Sequence, residues 1–176
     1  PHAAGIGLAI KMRKEDKVVL TTIGEGSTSQ GEWYEAVNWA AIHALPVIFL
    51  VENNQYAISV PTDKQMAVKS AADKACGLGL DGRMVDGTDV FAVYAVMSEV
   101  VAKARSGGGP SLIEARMYRI TPHSSDDDDR SYRTREEVEE NKKRDPILVA
   151  RTQLLESGVL SARELEEMEG RAKAMV

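Results

Sequence analysis

The stretch "TTIGEGSTSQGEWYEAVNWAAIHALPVIFLVENNQYAISVP", residues 21–61, sets two apolar runs on either side of one amphipathic segment. Val18 to Ile23 is rich in β-branched residues, as a strand buried on both faces would be, and it ends at Gly24. From Glu32 to Leu45, the residues Trp33, Ala36, Val37, Ala40, Ala41 and Ala44 recur at helical spacing until Pro46 stops them. Val47 to Val51 then reads as a second buried strand, closed by the turn-forming pair Asn53-Asn54. Strand, crossover helix and returning strand make one parallel unit, with both strand ends on the same edge of a sheet.

The same alternation continues outward. Ser70 to Leu78 reads as helix and Gly82 to Val85 as a short strand. A long helix follows over Val90 to Arg105 with Asp89 as its N-cap, and Ser111 to Tyr118 returns as a strand. This order predicts an α/β fold, a doubly wound and mostly parallel sheet with helices on both faces, occupying residues 1–118. Residues 119–135, "RITPHSSDDDDRSYRTR", break the pattern into a polar loop that is either disordered or functional. Residues 136–176 extend the same domain with C-terminal helices, near Pro146 to Glu156 and Ala162 to Lys173. The opening, "PHAAGIGLAIKMRK", has no initiator methionine and no signal peptide, and reads as a helix entered from something upstream, as in a fragment.

Bulk properties narrow the functional classes. The 176 residues carry a net charge of −5, with 43% hydrophobic and 28% charged residues, which gives no reason to expect nucleic acid as a partner. Leu45 to Val51 is too short an apolar run to span a bilayer, so no membrane partner is expected. The single cysteine, Cys76, excludes an internal disulfide framework and reads as a small buried hydrophobe.

The turn after the first strand resembles a phosphate-binding loop with the wrong charge. A dinucleotide fingerprint requires a third glycine where Ser29 stands, and a P-loop requires a lysine that is absent between Lys17 and Lys64. Glu25, between Gly24 and Gly26, would repel a phosphate by about 4 kcal/mol at contact distance in a partly buried cleft. A divalent cation reverses that sign, and magnesium prefers a few carboxylate or carbonyl oxygens together with phosphate oxygens. Glu25 is therefore expected to be a metal ligand, with Asn54 its partner from the neighbouring strand end and the Tyr56 carbonyl completing the set. Gly26, Ser27 and Thr28 allow close approach of the backbone to a diphosphate and lead into a helix N-terminus.

"GEG" followed by "NN" at this separation resembles the thiamine diphosphate motif. "EGSTSQGEWYEAVNWAA", "VENNQYAIS", "VDGTDV", "GPSLIEARMYRITPHSSDDD" and "YRTREEVEENKKRDPI" together resemble the alpha subunit of thiamine-dependent 2-oxo acid dehydrogenases. That family provides the first component of the branched-chain 2-oxo acid and pyruvate dehydrogenase complexes, and "NNQYAISVPT" looks closer to the branched-chain members.

The resemblance implies thiamine diphosphate and Mg2+ as cofactors. The metal would be held by Glu25, Asn54 and the Tyr56 carbonyl, and the cofactor by Gly24, Gly26, Ser27, Asn54, Tyr56, Ala57, Ile58 and His123. His123 would also be catalytic, handling the decarboxylated intermediate and acyl transfer to lipoyl groups. His2 and His43 match no such position. The implied partners are a beta subunit in a heterotetramer, a lipoyl-bearing acyltransferase and a 2-oxo acid substrate. A bacterial protein would be cytoplasmic, a eukaryotic one mitochondrial.

Two departures stand out. The upstream half of such subunits, with its own diphosphate contacts, is not in this chain. Ser124, at the place where mitochondrial relatives are phosphorylated, is followed by four aspartates whose charge opposes a phosphate. A cofactor-binding or scaffolding fragment without turnover, and an acetoin dehydrogenase alpha subunit, are the alternative readings.

Overall fold

The computed structural model describes residues 1–176. Helix α1 (His2–Arg13) precedes strand β1 (Val19–Gly24), and helix α2 (Gly31–Ile42) leads to β2 (Val47–Asn53). A small hairpin, β3 (Tyr56–Ala57) with β4 (Val60–Pro61), and the short helices α3 (Thr62–Gln65) and α4 (Lys74–Gly77) follow. Strand β5 (Asp81–Asp86), helix α5 (Val90–Arg105) and strand β6 (Ser111–Arg116) complete the core. Helices α6 (Arg135–Lys142), α7 (Pro146–Glu156) and α8 (Ala162–Met175) end the chain.

The main sheet has the order β1-β2-β6-β5, and every pairing in it is parallel. The hairpin is a separate antiparallel pair. Gly24 lies opposite Glu52 in the register, so the turns after β1 and β2 leave the sheet side by side. Central strands of such a sheet bury both faces, and β2 and β6 are accordingly buried almost throughout.

One face carries Val47, Phe49, Val51 and Leu112 against Ala4, Trp33, Val37 and Ala40 of α1 and α2. The opposite face packs Ile48, Ile113 and Ala115 on Val100 of α5. Gly7 lets α1 settle on the sheet, because a Cβ there would meet Val47 Cγ2 at 2.6 Å.

Several expectations are corrected in detail. The helix expected over Ser70 to Leu78 forms over 71–77, its first turn the tight one at Ala71–Asp73 capped by Ser70 and its remainder α4. Cys76 is exposed, not buried, because Ala72 and Ala75 take the inward positions on that turn. Helix α6 begins within the segment expected to be loop. The Thr134 hydroxyl accepts from Glu137 N at 3.1 Å, so "TREE" acts as a helix start. The N-cap at Asp89 forms as expected, accepting from Phe91 N and Ala92 N at 3.0 Å each.

Candidate active site

The turns after β1 and β2 meet at Glu25. Its side chain is 1% exposed, and Oε2 accepts from Asn54 N at 3.2 Å, while Oε1 has no partner. Burial holds this carboxyl above the ordinary glutamate range. Backbone N–H donors and Arg119 oppose the rise, and the nearby Glu114 adds to it.

The backbone of the turn is fixed by other means. Thr28 N and Oγ1 donate to the Glu25 carbonyl at 3.1 and 2.6 Å, and Gln65 Nε2 donates to the Gly26 carbonyl at 3.1 Å. Lys74 Nζ reaches Thr28 Oγ1 at 2.7 Å. A Cβ on Gly26 would lie 2.6 Å from Ala57 Cβ, so only glycine lets the turn and the hairpin touch.

Asn54 folds the second turn onto the first. Its Oδ1 accepts from Tyr56 N at 3.0 Å, a local bond that turns the chain after β2. Gln55 and Ile58 have φ of 73° and 58°, left-handed conformations that glutamine and isoleucine rarely adopt. Such backbone persists only where its surroundings enforce it. Here Arg119 Nη1 donates to the Tyr56 carbonyl at 3.3 Å and Nη2 to the Ile58 carbonyl at 2.6 Å.

A layer of tyrosines lies behind the hairpin. The hydroxyls of Tyr56 and Tyr118 donate to Glu137 Oε1 at 2.8 and 2.9 Å, and burial with that carboxylate pushes both phenols above their usual range. The buried Arg133 guanidinium stands over Tyr56, Tyr118 and Tyr132, is paired with Asp129 at 2.6 Å, and donates to the Arg119 carbonyl.

The structure thus brings Glu25, Gly26, Asn54, Tyr56 and Ala57 together. Gly24 ends β1 beside them, and Ser27 lies in the tight turn Gly26–Ser29. Ile58 is at the exposed rim of the hairpin. His123 is in the exposed loop after β6, joined to the hairpin only through a relay. Asp127 Oδ2 accepts from His123 N at 2.8 Å and from the Tyr132 hydroxyl at 2.5 Å, and Arg119 Nη2 donates to that hydroxyl at 2.8 Å. No hydrogen bond ties the His123 imidazole to Glu25, Asn54 or Tyr56. His2 is exposed at the chain start, and His43 lies edge-on against Trp39.

Gln65, Lys74, Arg119, Arg133 and Glu137 hold the site and were not singled out in the sequence. A signal existed for one further residue: Glu114 interrupts the central, otherwise apolar run "LIEA", where a carboxylate must be satisfied.

These donors suit a divalent cation of the hard kind. The set is a carboxylate oxygen without a donor, an amide oxygen and a carbonyl, and an unpaired buried carboxylate oxygen is costly until a cation or donor reaches it. No group of three or more His, Cys, Asp and Glu forms a closed protein cage. A magnesium ion sharing its shell with phosphate requires none.

Fold and site define the chain as a parallel α/β protein with an acidic, glycine-flanked turn where adjacent strands end. It belongs to the dehydrogenase E1 component family, whose model matches residues 1–176. It is 55% identical over 161 residues to the 2-oxoisovalerate dehydrogenase subunit alpha of Bacillus subtilis, covering 92% of this chain and 49% of that protein. It is 47% identical to the 3-methyl-2-oxobutanoate dehydrogenase subunit alpha of Mycobacterium tuberculosis, covering 98% of this chain and 47% of the relative. The pyruvate dehydrogenase E1 component subunit alpha of Staphylococcus aureus is 42% identical, with 98% and 47% covered.

The chain therefore spans about half the length of the curated relatives it matches. Among solved structures, it is similar to a putative thiamin diphosphate-dependent enzyme isolated from Mycobacterium smegmatis. That match has 27% identity and a TM-score of 0.49, over 66% of this chain and 21% of that one.

Proposed function

We propose that this chain is the cofactor-binding portion of the alpha subunit of a 2-oxo acid dehydrogenase first component. It would act in oxidative decarboxylation and in acyl transfer to lipoyl groups. The observation that carries the reading is the buried, unpartnered oxygen of Glu25 beside Asn54 in a glycine-flanked turn. The substrate class is inferred from the relatives, of which the branched-chain enzymes at 55% and 47% identity stand above the pyruvate enzyme at 42%.

Glu25 Oε1, Asn54 Oδ1 and the Tyr56 carbonyl would hold Mg2+, with Arg119 sharing or yielding that carbonyl. Gly26 and Ser27 would face the diphosphate of thiamine diphosphate, since neither carries a side chain larger than a hydroxymethyl to obstruct it. When bound, the cofactor supplies the electron sink for loss of carbon dioxide. The chain's own share is to anchor the diphosphate, to hold the hairpin Tyr56–Pro61 in its strained form, and to present His123 from the loop. A beta subunit completes the site in this reading. Asp127, by fixing the His123 amide, sets the loop from which the imidazole would exchange protons with the reacting group.

The test joins the intact subunit to its matching beta subunit with thiamine diphosphate and magnesium. Reduction of an artificial acceptor is then followed with 3-methyl-2-oxobutanoate and with pyruvate. Turnover with the branched acid at higher kcat/KM is expected. Metal-dependent cofactor binding without turnover of either acid would overturn the catalytic reading in favour of a binding or scaffolding role.

A further inference from the structure

Behind the metal-site turn lies a second carboxylate to which nothing above assigns a role. Glu114, in the middle of β6, is 1% exposed. Three donors converge on it: Asn53 Nδ2 reaches Oε1 at 2.5 Å, Ala72 N reaches Oε2 at 3.0 Å, and the Ser70 hydroxyl donates to Oε2. Asn53 is 2% exposed and immediately precedes the proposed metal ligand Asn54. With its amide nitrogen committed to Glu114, its Oδ1 is left to accept from Gln55 N at 2.9 Å, with Thr62 Oγ1 at 3.5 Å beyond.

We propose that Glu114 is a positioning residue for the cation site, acting through the orientation of the Asn53 amide. An amide in that place has two ways round. With acceptors only at Glu114, nitrogen must face β6 and oxygen must face the turn. The oxygen receives Gln55 N, and this bond holds Gln55 at its φ of 73°. The left-handed residue turns the chain directly after Asn54, whose N meets Glu25, and carries the Tyr56 carbonyl round to Arg119 at the mouth of the turn. Burial allows no water to substitute, so the polarity of one hydrogen bond inside the sheet sets the shape of the turn outside it. The inference rests on the proposed cofactor reading, since the turn matters only if a cation binds there.

Polarity gives a sharp test. Because Ala72 N and the Ser70 hydroxyl both donate at the Oε2 position, the Glu114→Gln amide keeps its oxygen there and turns its nitrogen to Asn53, which either loses that bond or flips and sets its own nitrogen against Gln55 N. Asn53→Asp alone sets two carboxylates together. The double variant Asn53→Asp/Glu114→Gln restores the bond with donor and acceptor exchanged, and again leaves an oxygen for Gln55 N. The readout on the intact subunit is uptake of Mn2+, as a paramagnetic probe for magnesium, in the presence of thiamine diphosphate. Amide hydrogen exchange at Gln55 is measured on the metal-free protein.

Glu114→Gln is expected to weaken Mn2+ uptake about tenfold, the effect of one buried donor left unpaired. It should also release Gln55 N, and the double variant should recover both. Native uptake in Glu114→Gln, or no recovery in the double variant, overturns the inference alone. No cofactor-dependent uptake by the native protein overturns the cofactor site and the inference together. Should Glu114→Gln fail to fold, a folded double variant with native uptake supports the proposal, and an unfolded or metal-blind one overturns it.

Discussion

Glu25 is held chiefly by its backbone, since Thr28 and Gln65 bond to carbonyls in the turn, while its carboxylate has one donor, Asn54 N, and one oxygen without a partner. Glu25→Gln should therefore keep the fold, and it should raise the thermal midpoint of the metal-free protein slightly by removing a desolvated carboxyl. Differential scanning calorimetry reads this, and a marked drop would contradict it. Gly26→Ala tests the contact between the two turns. Its Cβ falls 2.6 Å from that of Ala57, and overpacking of this kind costs about 1–3 kcal/mol. Urea denaturation should show that loss, with weaker binding of thiamine diphosphate beside it. Both features were legible in the sequence as glycines flanking an ill-placed charge. The role of Arg119 was not, because nothing local marks a residue whose bonds are to carbonyls more than sixty positions earlier.

At the scale of elements, period and capping were readable wherever an element satisfies itself. Helix α5 has the expected ends, with Asp89 as its cap. The segment after Ser70 was readable as helix, and it forms as a tight first turn at Ala71–Asp73 continued directly by α4. Helix α6 was not read from the sequence. Its acidic sequence hides a single inward Val138 and the Glu137 carboxylate that collects two tyrosine hydroxyls. Glu137→Ala leaves both hydroxyls without that acceptor, which should cost about 1–3 kcal/mol and free the loop before α6. Amide exchange across residues 119–142 should rise first in this variant. Unchanged protection there would show that α6 is docked by other contacts.

For the molecule as a whole, stability rests on the two faces of the parallel sheet. Ile113 is fully buried between β6 and α5, and Ile113→Ala should cost about 2–5 kcal/mol in chemical denaturation with the site geometry retained. The ion pair that links the sheet to the helical end of the chain gives a pH signature. Burial alone would raise the carboxyl of Asp86, but the Thr88 hydroxyl and amide and the Arg144 guanidinium bring it below the ordinary aspartate range. The folded state thus binds this proton less readily than the unfolded chain. Its contribution is complete above the ordinary aspartate pKa and is lost as pH falls through that value towards the depressed one. Thr88→Val should move the Asp86 titration upward in an NMR pH series, and an unmoved titration would contradict the assignment.

The parallel order of the sheet could be read from the alternation of elements, because a strand joined to the next by a helix has few alternatives.

The central claim, that a carboxylate in a phosphate-binding turn marks a cation, is tested most directly by calorimetric titration of thiamine diphosphate into the intact subunit. The titration is run with magnesium and with chelator, for the native protein and Glu25→Ala. Binding that requires magnesium and disappears in the variant is predicted. Native affinity in Glu25→Ala, or binding indifferent to the metal, would contradict it.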